Sequence, residues 1–310
     1  MLITGGSGAI GSQLVRHLVS TGERVIVLLR GDGVPLRLGD VFSRLTVFRG
    51  DITDADDVAR CIAESRPKVV FHLASASFNP PPADSRAYTL PIVNGTVNVV
   101  EAVRASAPDA AIVFAGSAAV YPSGRGLSEE TPRFPGTIFG AAKAAASLMF
   151  STSCQTYGIR GVELRLFTPY GPWERSGRLI PSLVLASLSG NSPTVTGGDQ
   201  TRDFVHVDDV IKAFMLAAET SSRPGAVYNV CSGRGVPVRQ VAEAVMKLLG
   251  RVNLRTVAGQ ARPDEIMEME GVNDRARHDL GWSPSVEFEV GLRDTVRWYV
   301  DNAQVARQLR

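Results

Sequence analysis

Short apolar runs recur along the first half of the chain, separated by stretches whose apolar residues fall three and four apart. Leu2-Ile3, Arg24–Leu29 (RVIVLL), Leu45–Phe48, Lys68–Leu73 (KVVFHL), Ala111–Ala115 and Val162–Phe167 have the β-branched content of strands buried on both faces. Between the first two, Ala9–Ser20 carries Ile10, Leu14, Val15, Leu18 and Val19 on one helical face. The same periodicity predicts helices near Asp54–Ser65, Pro91–Ala105 and Ile138–Tyr157. Strands that alternate with helices at this spacing form a parallel α/β sheet covered on both sides.

The first strand runs straight into Gly5, Gly8 and Gly11, in the stretch Met1–Gly11 (MLITGGSGAIG). A glycine turn between a strand and a helix brings backbone amides close to a phosphate, and the helix dipole favours the negative charge. Gly5, Gly8, Ala9, Ile10 and Gly11 are therefore expected to hold a dinucleotide, within a Rossmann-type doubly wound sheet. Residues 1–167 make the dinucleotide-binding domain in this reading, with a strand and helix near 202–220 returning to it. Residues 168–310 make a smaller C-terminal substrate-binding lobe, where helices are predicted at Arg178–Ser189, Val210–Glu219 and Val238–Leu249 and a strand at Val227–Val230.

Composition changes this picture little. A chain of 310 residues with 44% hydrophobic and 21% charged residues is an ordinary globular protein. The net charge of +2 gives no reason to expect nucleic acid or a membrane surface. Cys61, Cys154 and Cys231 lie far apart without metal-ligand spacing, which predicts reduced thiols, a cytoplasmic protein and no metal. No signal peptide precedes the first strand, and no apolar run reaches membrane-spanning length. The first strand is short for its role, so native residues upstream of Met1 are expected.

The end of the second strand bears on the cofactor. A carboxylate there would bind the adenosine ribose and repel a 2′-phosphate, whereas this chain has Leu29-Arg30. Arg30 therefore favours NADP(H), with NAD(H) as the alternative. The fourth strand ends in His72-Leu73-Ala74; Leu73 and Ala74 are expected beside the cofactor, and His72 is expected to be structural.

Several segments, in order along essentially the whole chain, carry a family resemblance. Thr4-Gly5-Gly6-Ser7-Gly8-Ala9-Ile10-Gly11 is similar to TGGxGxIG, and Ser117-Ala118-Ala119-Val120-Tyr121 to SxxVY. Arg202–Asp209 (RDFVHVDD) is similar to RDFxHVDD, and Leu280–Pro284 (LGWSP) to LGWxP. The chain thus resembles the extended short-chain dehydrogenase/reductases that act on nucleotide-activated sugars. The resemblance implies that Asp51 and Ile52 contact adenine, that Ser117 hydrogen-bonds the sugar oxygen, and that Lys143 holds the nicotinamide ribose. It places the diphosphate of a nucleotide sugar on Arg202 and Arg262, because planar guanidinium groups suit phosphates. Thr168 and Arg178 are expected near the substrate, and Glu174 and Arg175 after Trp173 belong to the loop that would roof the sugar. A homodimer through the helices near Pro91–Ala105 and Ile138–Tyr157 is also implied.

Three departures stand out. The acid/base tyrosine of the family, four residues before the lysine, is Phe139 here. On a helix that spacing puts both side chains on one face, where the ammonium lowers the phenol's pKa; phenylalanine has no proton to move. Either Phe139 is a laboratory substitution, or it is native and Tyr121, Tyr88 or an ordered water moves the proton, or the chain binds cofactor without catalysis. The asparagine of NVxGT is absent from Ile92-Val93-Asn94-Gly95-Thr96, and Thr168 replaces the asparagine of FNxYGP. The expected reaction is hydride transfer at C4 of a nucleotide hexose by an NADPH-dependent 4-ketoreductase. A 4-epimerase or 4,6-dehydratase that retains NAD is the alternative, and a catalytically impaired dinucleotide-binding protein the non-enzyme one.

Overall fold

The computed structural model describes residues 1–76, 84–220, 223–251, 255–257 and 265–309, with backbone alone for 255–257. Seven strands form one parallel sheet, in the spatial order Ala226–Val230, Gly161–Leu166, Ala111–Ser117, Val69–His72, Leu2–Thr4, Ile26–Leu29, Thr46–Arg49. Most of its strands are buried along their length, which is why they read as near-continuous apolar runs. Helices Ala9–Ser20 and Val207–Thr220 cover one face, packing Leu14, Leu18 and Phe214 into a core with Val27, Phe71 and Leu164. Helices Ala55–Ser65, Gly95–Ser106 and Ile138–Tyr157 cover the other through Ile62, Val99 and Phe150. The doubly wound sheet is as the periodicity predicts.

Local chemistry sets the helix ends. Asp54 caps Ala55–Ser65 by accepting from the backbone N–H groups of Asp56 and Asp57. Thr137 caps Ile138–Tyr157 by accepting from Gly140 N at 2.9 Å, and Gly158 in the left-handed region ends that helix. The helix expected from Pro91 starts earlier: Arg86–Thr89 leads through a π turn, Leu90–Asn94, into Gly95–Ser106. Pro91 lacks an N–H and occupies that turn, where the backbone ladder is already widened.

The second half departs further from expectation. Thr201–His206, expected to return to the first sheet, pairs instead with Thr168–Tyr170, Gly235–Pro237 and Glu268–Gly271 in a second sheet. The strand that joins the first sheet is Ala226–Val230, beside Gly161–Leu166. Gly124–Leu127 is a further strand, paired with Glu268–Gly271. Two motif carboxylates prove to be joints of this lobe. Asp203 accepts from the N–H groups of Ser232, Gly233 and Gly271, and Asp209 from Ser285 and Val286. The Trp282 indole donates to Asp209 O at 2.9 Å, so RDFVHVDD and LGWSP meet as one structural unit. Among the described residues, no helix is long and apolar enough to cross a membrane.

His72 is structural, as expected. Its Nδ1 lies 2.7 Å from Thr4 Oγ1 and its Nε2 3.1 Å from Thr96 Oγ1. Thr96 Oγ1 already donates to Ile92 O at 2.6 Å, so it accepts from His72, which places the ring proton on Nε2. Full burial pushes the imidazole pKa down to about 3, with the Lys143 charge adding to the shift. The unfolded chain then binds the extra proton throughout the interval from its ordinary value of 6.5 down to about 3, so acid destabilises the fold through this residue. In paired denaturant unfolding from pH 6.5 to pH 3, wild type is expected to lose stability more steeply than His72→Asn. Parallel slopes would show that His72 charges freely in place.

Candidate active site

From Leu2–Thr4 the chain builds the sheet outward in one direction, then returns to Val69–His72 and builds in the other. The carboxyl ends of those two adjacent strands diverge at this switch point and leave a crevice between their following loops. A cleft of about 1110 Å³ starts there and reaches the second sheet. Gly5, Gly8, Ala9, Ile10 and Gly11 form one wall, with Leu73 and Ala74 opposite. Arg30 and Ile52 lie toward one end; Ser117, Phe139 and Lys143 line the middle; Thr168, Arg178 and Arg202 lie toward the other. The fold thus gathers most of the predicted site residues into one cavity. Arg262 lies outside the described residues.

The glycine wall fits a dinucleotide. A Cβ on Gly11 would stand 2.2 Å from Gly5 O, so the helix can approach the turn this closely only with glycine there. Gly8 N bonds Gly5 O at 3.0 Å and closes the turn. No side chain caps Ala9–Ser20, and its first turn has no acidic residue, so its leading N–H groups face the cleft mouth as an anion site requires.

Asp51 stands apart from the wall. Its Oδ1 accepts from Thr53 N and Oγ1, both at 2.9 Å, which turns the carboxylate into its own loop. Arg30 exposes 80% of its side chain and reaches to 3.8 Å of Asp51 Oδ2, a solvated pair that leaves it poorly fixed.

In the middle of the cleft, the helix Ile138–Tyr157 crosses the end of Ala111–Ser117. Ser117 Oγ accepts from Ala119 N at 3.1 Å, which leaves its own proton to donate. Lys143 is 5% exposed; its ammonium donates to Ala115 O at 2.9 Å and lies 5.2 Å from the centre of the Phe114 ring. Burial pushes its pKa down to about 8, and the Glu163 carboxylate opposes the fall. Phe139 is half-buried, with its ring edge-on to Tyr88 at 5.7 Å between centroids.

Neither tyrosine considered as a substitute acid lines the cleft. Tyr121 is fully buried; its hydroxyl donates to Asn229 Oδ1 at 2.8 Å and accepts from Arg165 at 2.7 Å. Burial pushes that phenol up to about 12. Tyr88 is buried behind Phe139.

Three residues that matter here were missed. Arg37 lines the cleft and donates through Nε to Trp173 O at 2.8 Å, tying the loop after the second strand to the roof. Glu163 and Arg165 sit 0% and 1% exposed in Gly161–Leu166, a segment read only as an apolar strand. The sequence signal was there, since two charges at i and i+2 in a buried strand share one face and need partners. Glu174 and Arg178, named as roof residues, pair with each other at 2.8 Å, and burial raises the Glu174 carboxyl despite that arginine. Arg202 likewise pairs with Glu265 at 2.8 Å.

The sequence profile of the NAD dependent epimerase/dehydratase family matches residues 1–231. The chain is 31% identical to the dTDP-glucose 4,6-dehydratase of Neisseria gonorrhoeae, over 97% of this chain and 96% of that protein. The dTDP-glucose 4,6-dehydratase of Streptomyces venezuelae, solved with NAD bound, superposes with a TM-score of 0.91 at 28% identity, covering 100% and 99% of the two chains. The UDP-glucose 4-epimerase of Thermotoga maritima, solved with UDP-glucose, gives 0.88 at 25% identity over 97% and 99%.

The glycine wall makes a direct test possible. Gly11→Ala is expected to weaken dinucleotide binding by about a hundredfold or more, since the turn and helix must part to admit the methyl. Calorimetric titration reads the affinity, and an affinity within about twofold of wild type would place the cofactor elsewhere.

Proposed function

Since the chain belongs to the NAD dependent epimerase/dehydratase family, we propose that it is a nucleotide-hexose 4-epimerase that keeps NAD through both halves of its reaction. The observation that carries this reading is the proton inventory of the cleft. Among its described lining residues, burial lowers the Lys143 pKa to about 8 and raises that of Glu174, and of these two only Lys143 stands with Ser117 and Phe139. Inversion at C4 takes one proton from O4 and returns one. A 4,6-dehydration needs in addition a base at C5 and an acid at the departing 6-hydroxyl, and Ala118 and Ala119 beside Ser117 supply neither.

Bound along the glycine wall, the nicotinamide supplies the acceptor and donor of hydride. The chain's own residues do the rest. Ser117 donates its free hydroxyl proton toward O4 and orients the ring. Lys143 holds the nicotinamide ribose. Arg178 and Arg202, each fixed by a carboxylate, present guanidinium groups for the diphosphate, and Arg262 joins them in the proposal on the strength of its RPxE/D-like segment. NADP(H) and the 4-ketoreductase rested on Arg30, whose exposed side chain pairs loosely with Asp51, while the S. venezuelae relative carries NAD. NAD is therefore the cofactor we favour. Buried free Cys61, Cys154 and Cys231 accord with a cytoplasmic protein.

We also propose a homodimer. Ile138, Leu148, Met149 and Tyr157 are 47–62% exposed along one helix, with Leu90 47% exposed on the neighbouring helical run. Such an apolar stripe on a two-helix face matches a second copy of itself. Light scattering at micromolar concentration is expected to show a dimer for wild type and a monomer for Leu148→Glu/Met149→Glu; a wild-type monomer would remove the proposal.

The function is tested by incubating the protein with UDP-glucose and with dTDP-glucose and following the sugar by NMR. Inversion at C4 without added cofactor is expected, and absorbance of the purified protein should show retained NAD. A 4-keto-6-deoxy product would replace the reading with a dehydratase, and consumption of NADPH by a 4-keto sugar would restore the reductase. Phe139→Tyr adds one hydroxyl to a half-buried ring facing the cleft. It should raise the rate toward the ~10²–10⁴-fold that general acid–base help supplies, with cofactor affinity unchanged.

A further inference from the structure

The strand behind Lys143 carries a charge that the family resemblance does not account for. Glu163 is fully buried in Gly161–Leu166. One of its oxygens, Oε2, accepts from Ser147 Oγ at 2.5 Å, and Ser147 lies one helical turn beyond Lys143. The other, Oε1, takes Arg165 Nε at 3.4 Å and lies where a Cβ on Gly116 would come within 2.4 Å of it. Gly116 is next to Ala115, whose carbonyl holds the Lys143 ammonium. The absence of a side chain at Gly116 therefore lets a carboxylate stand directly behind the lysine. Among the described residues, the other charged or titratable groups tied to Lys143 and Glu163 are Arg165, paired with Glu163 on the same strand, and His72 on Val69–His72, whose ring feels the lysine charge.

Resting on the nucleotide-hexose reading above, we infer that Lys143 itself is the proton-exchanging group of this cleft, and that Glu163 is the positioning residue that governs how readily it gives its proton up. With phenylalanine at 139, Lys143 is the acid/base group beside Ser117 among the described lining residues. As a neutral amine it keeps one hydrogen bond to Ala115 O and offers its lone pair to the sugar. The O4–H bond then breaks, its proton goes to Nζ, and its electron pair becomes the C4 carbonyl π bond as the C4 hydrogen leaves as hydride to the nicotinamide. In the return half the 4-keto sugar has turned its opposite face to the nicotinamide, so that hydride comes back to C4 from the other side, the carbonyl π pair returns to O4 and Nζ gives the proton back to it. Burial favours the neutral amine, and the carboxylate of Glu163 favours the ammonium. The balance between them places the exchange near neutrality, as a group that must both accept and return a proton requires.

The chain has four lysines, Lys68, Lys143, Lys212 and Lys247, so lysine-labelled NMR resolves the titration, with Lys143→Arg used to assign its signal. In wild type the Lys143 resonance is expected to titrate near pH 8. In Glu163→Gln the midpoint should fall by about one pH unit or more, and Glu163→Asp should recover part of the shift. A folded Glu163→Gln protein with an unmoved Lys143 titration would overturn the role of Glu163. If that variant does not fold, carboxyl-labelled wild type decides: a buried glutamate signal should move with the lysine titration, and none doing so overturns it.

Single-turnover hydride transfer, measured against pH with NAD and UDP-glucose, tests Lys143. The rate should rise through the lysine midpoint and the rise should move to lower pH in Glu163→Gln. A rise that ignores the substitution, in a protein whose NMR midpoint has moved, would overturn Lys143 as the proton carrier. Absence of turnover on every nucleotide hexose would instead end the enzymatic reading, and the NMR coupling of Glu163 to Lys143 would stand apart from it.

Discussion

A lysine ammonium held almost out of reach of water is the constraint on which the middle of this molecule depends. An isolated charge there would be expelled or neutralised, so the surroundings must answer it. They do so with one carbonyl at 2.9 Å, the face of Phe114 and a carboxylate one layer back. Each answer comes from the sheet: Ala115 and Phe114 from one strand, Glu163 from its neighbour. The register that pairs Phe114 with Glu163 and Gly116 with Arg165 sets these groups side by side. The helix Ile138–Tyr157 brings the charge, and the sheet makes its burial tolerable.

The carboxylate has to be satisfied in turn. Arg165 bridges it to the Tyr121 hydroxyl, Tyr121 donates to Asn229, and Asn229 donates to Leu127 O and Val272 O. The chain of bonds leaves the first sheet and ends where the second begins. A second link crosses at the roof of the cleft. Trp173, at a positive φ of 66°, has Arg16 4.3 Å from its ring centre, Arg37 on its carbonyl and the tilted Trp298 ring 4.9 Å away between centroids. A non-glycine residue holds such a backbone only where its surroundings over-determine it. The second link reaches the cleft through Arg37, which lines it, and together the two tie the first sheet to the second lobe by polar bonds as well as by packing.

What the sequence made legible follows from periodicity. The first-sheet strands are mostly buried apolar runs, the helix Ile138–Tyr157 is long and capped at both ends, and they stand where their patterns put them. The glycine loop was legible because backbone geometry leaves no substitute at Gly11. The second sheet was not, because its strands are short, are not apolar runs and pair across distant positions, Gly124–Leu127 with Glu268–Gly271 across more than a hundred. No local pattern carries such pairings. Arg37 was hidden in a loop without period, and Glu163 was masked by the apolar residues around it, although a buried acid is itself a signal. At Arg30 a charge placed in sequence is not one fixed in space, since its side chain is 80% exposed.

The same separation of geometry from chemistry explains position 139. The family pattern pairs tyrosine and lysine as though each needed the other. Here the ring at 139 keeps its place by edge-on contact with Tyr88 and by the tight seat of Gly140 against Ala119, neither of which involves a hydroxyl. Lys143 keeps its place through Ala115, Phe114 and Glu163, all three of which belong to the sheet. Were the lysine supported mainly by a phenol, replacing that phenol by phenylalanine would strand a buried cation and the helix would have to move. With the support borne by the sheet, phenylalanine leaves the architecture intact and removes a single proton from the cleft. Burial then brings Lys143 down to about 8 against the opposing pull of the Glu163 carboxylate, and on this group we place the proton exchange.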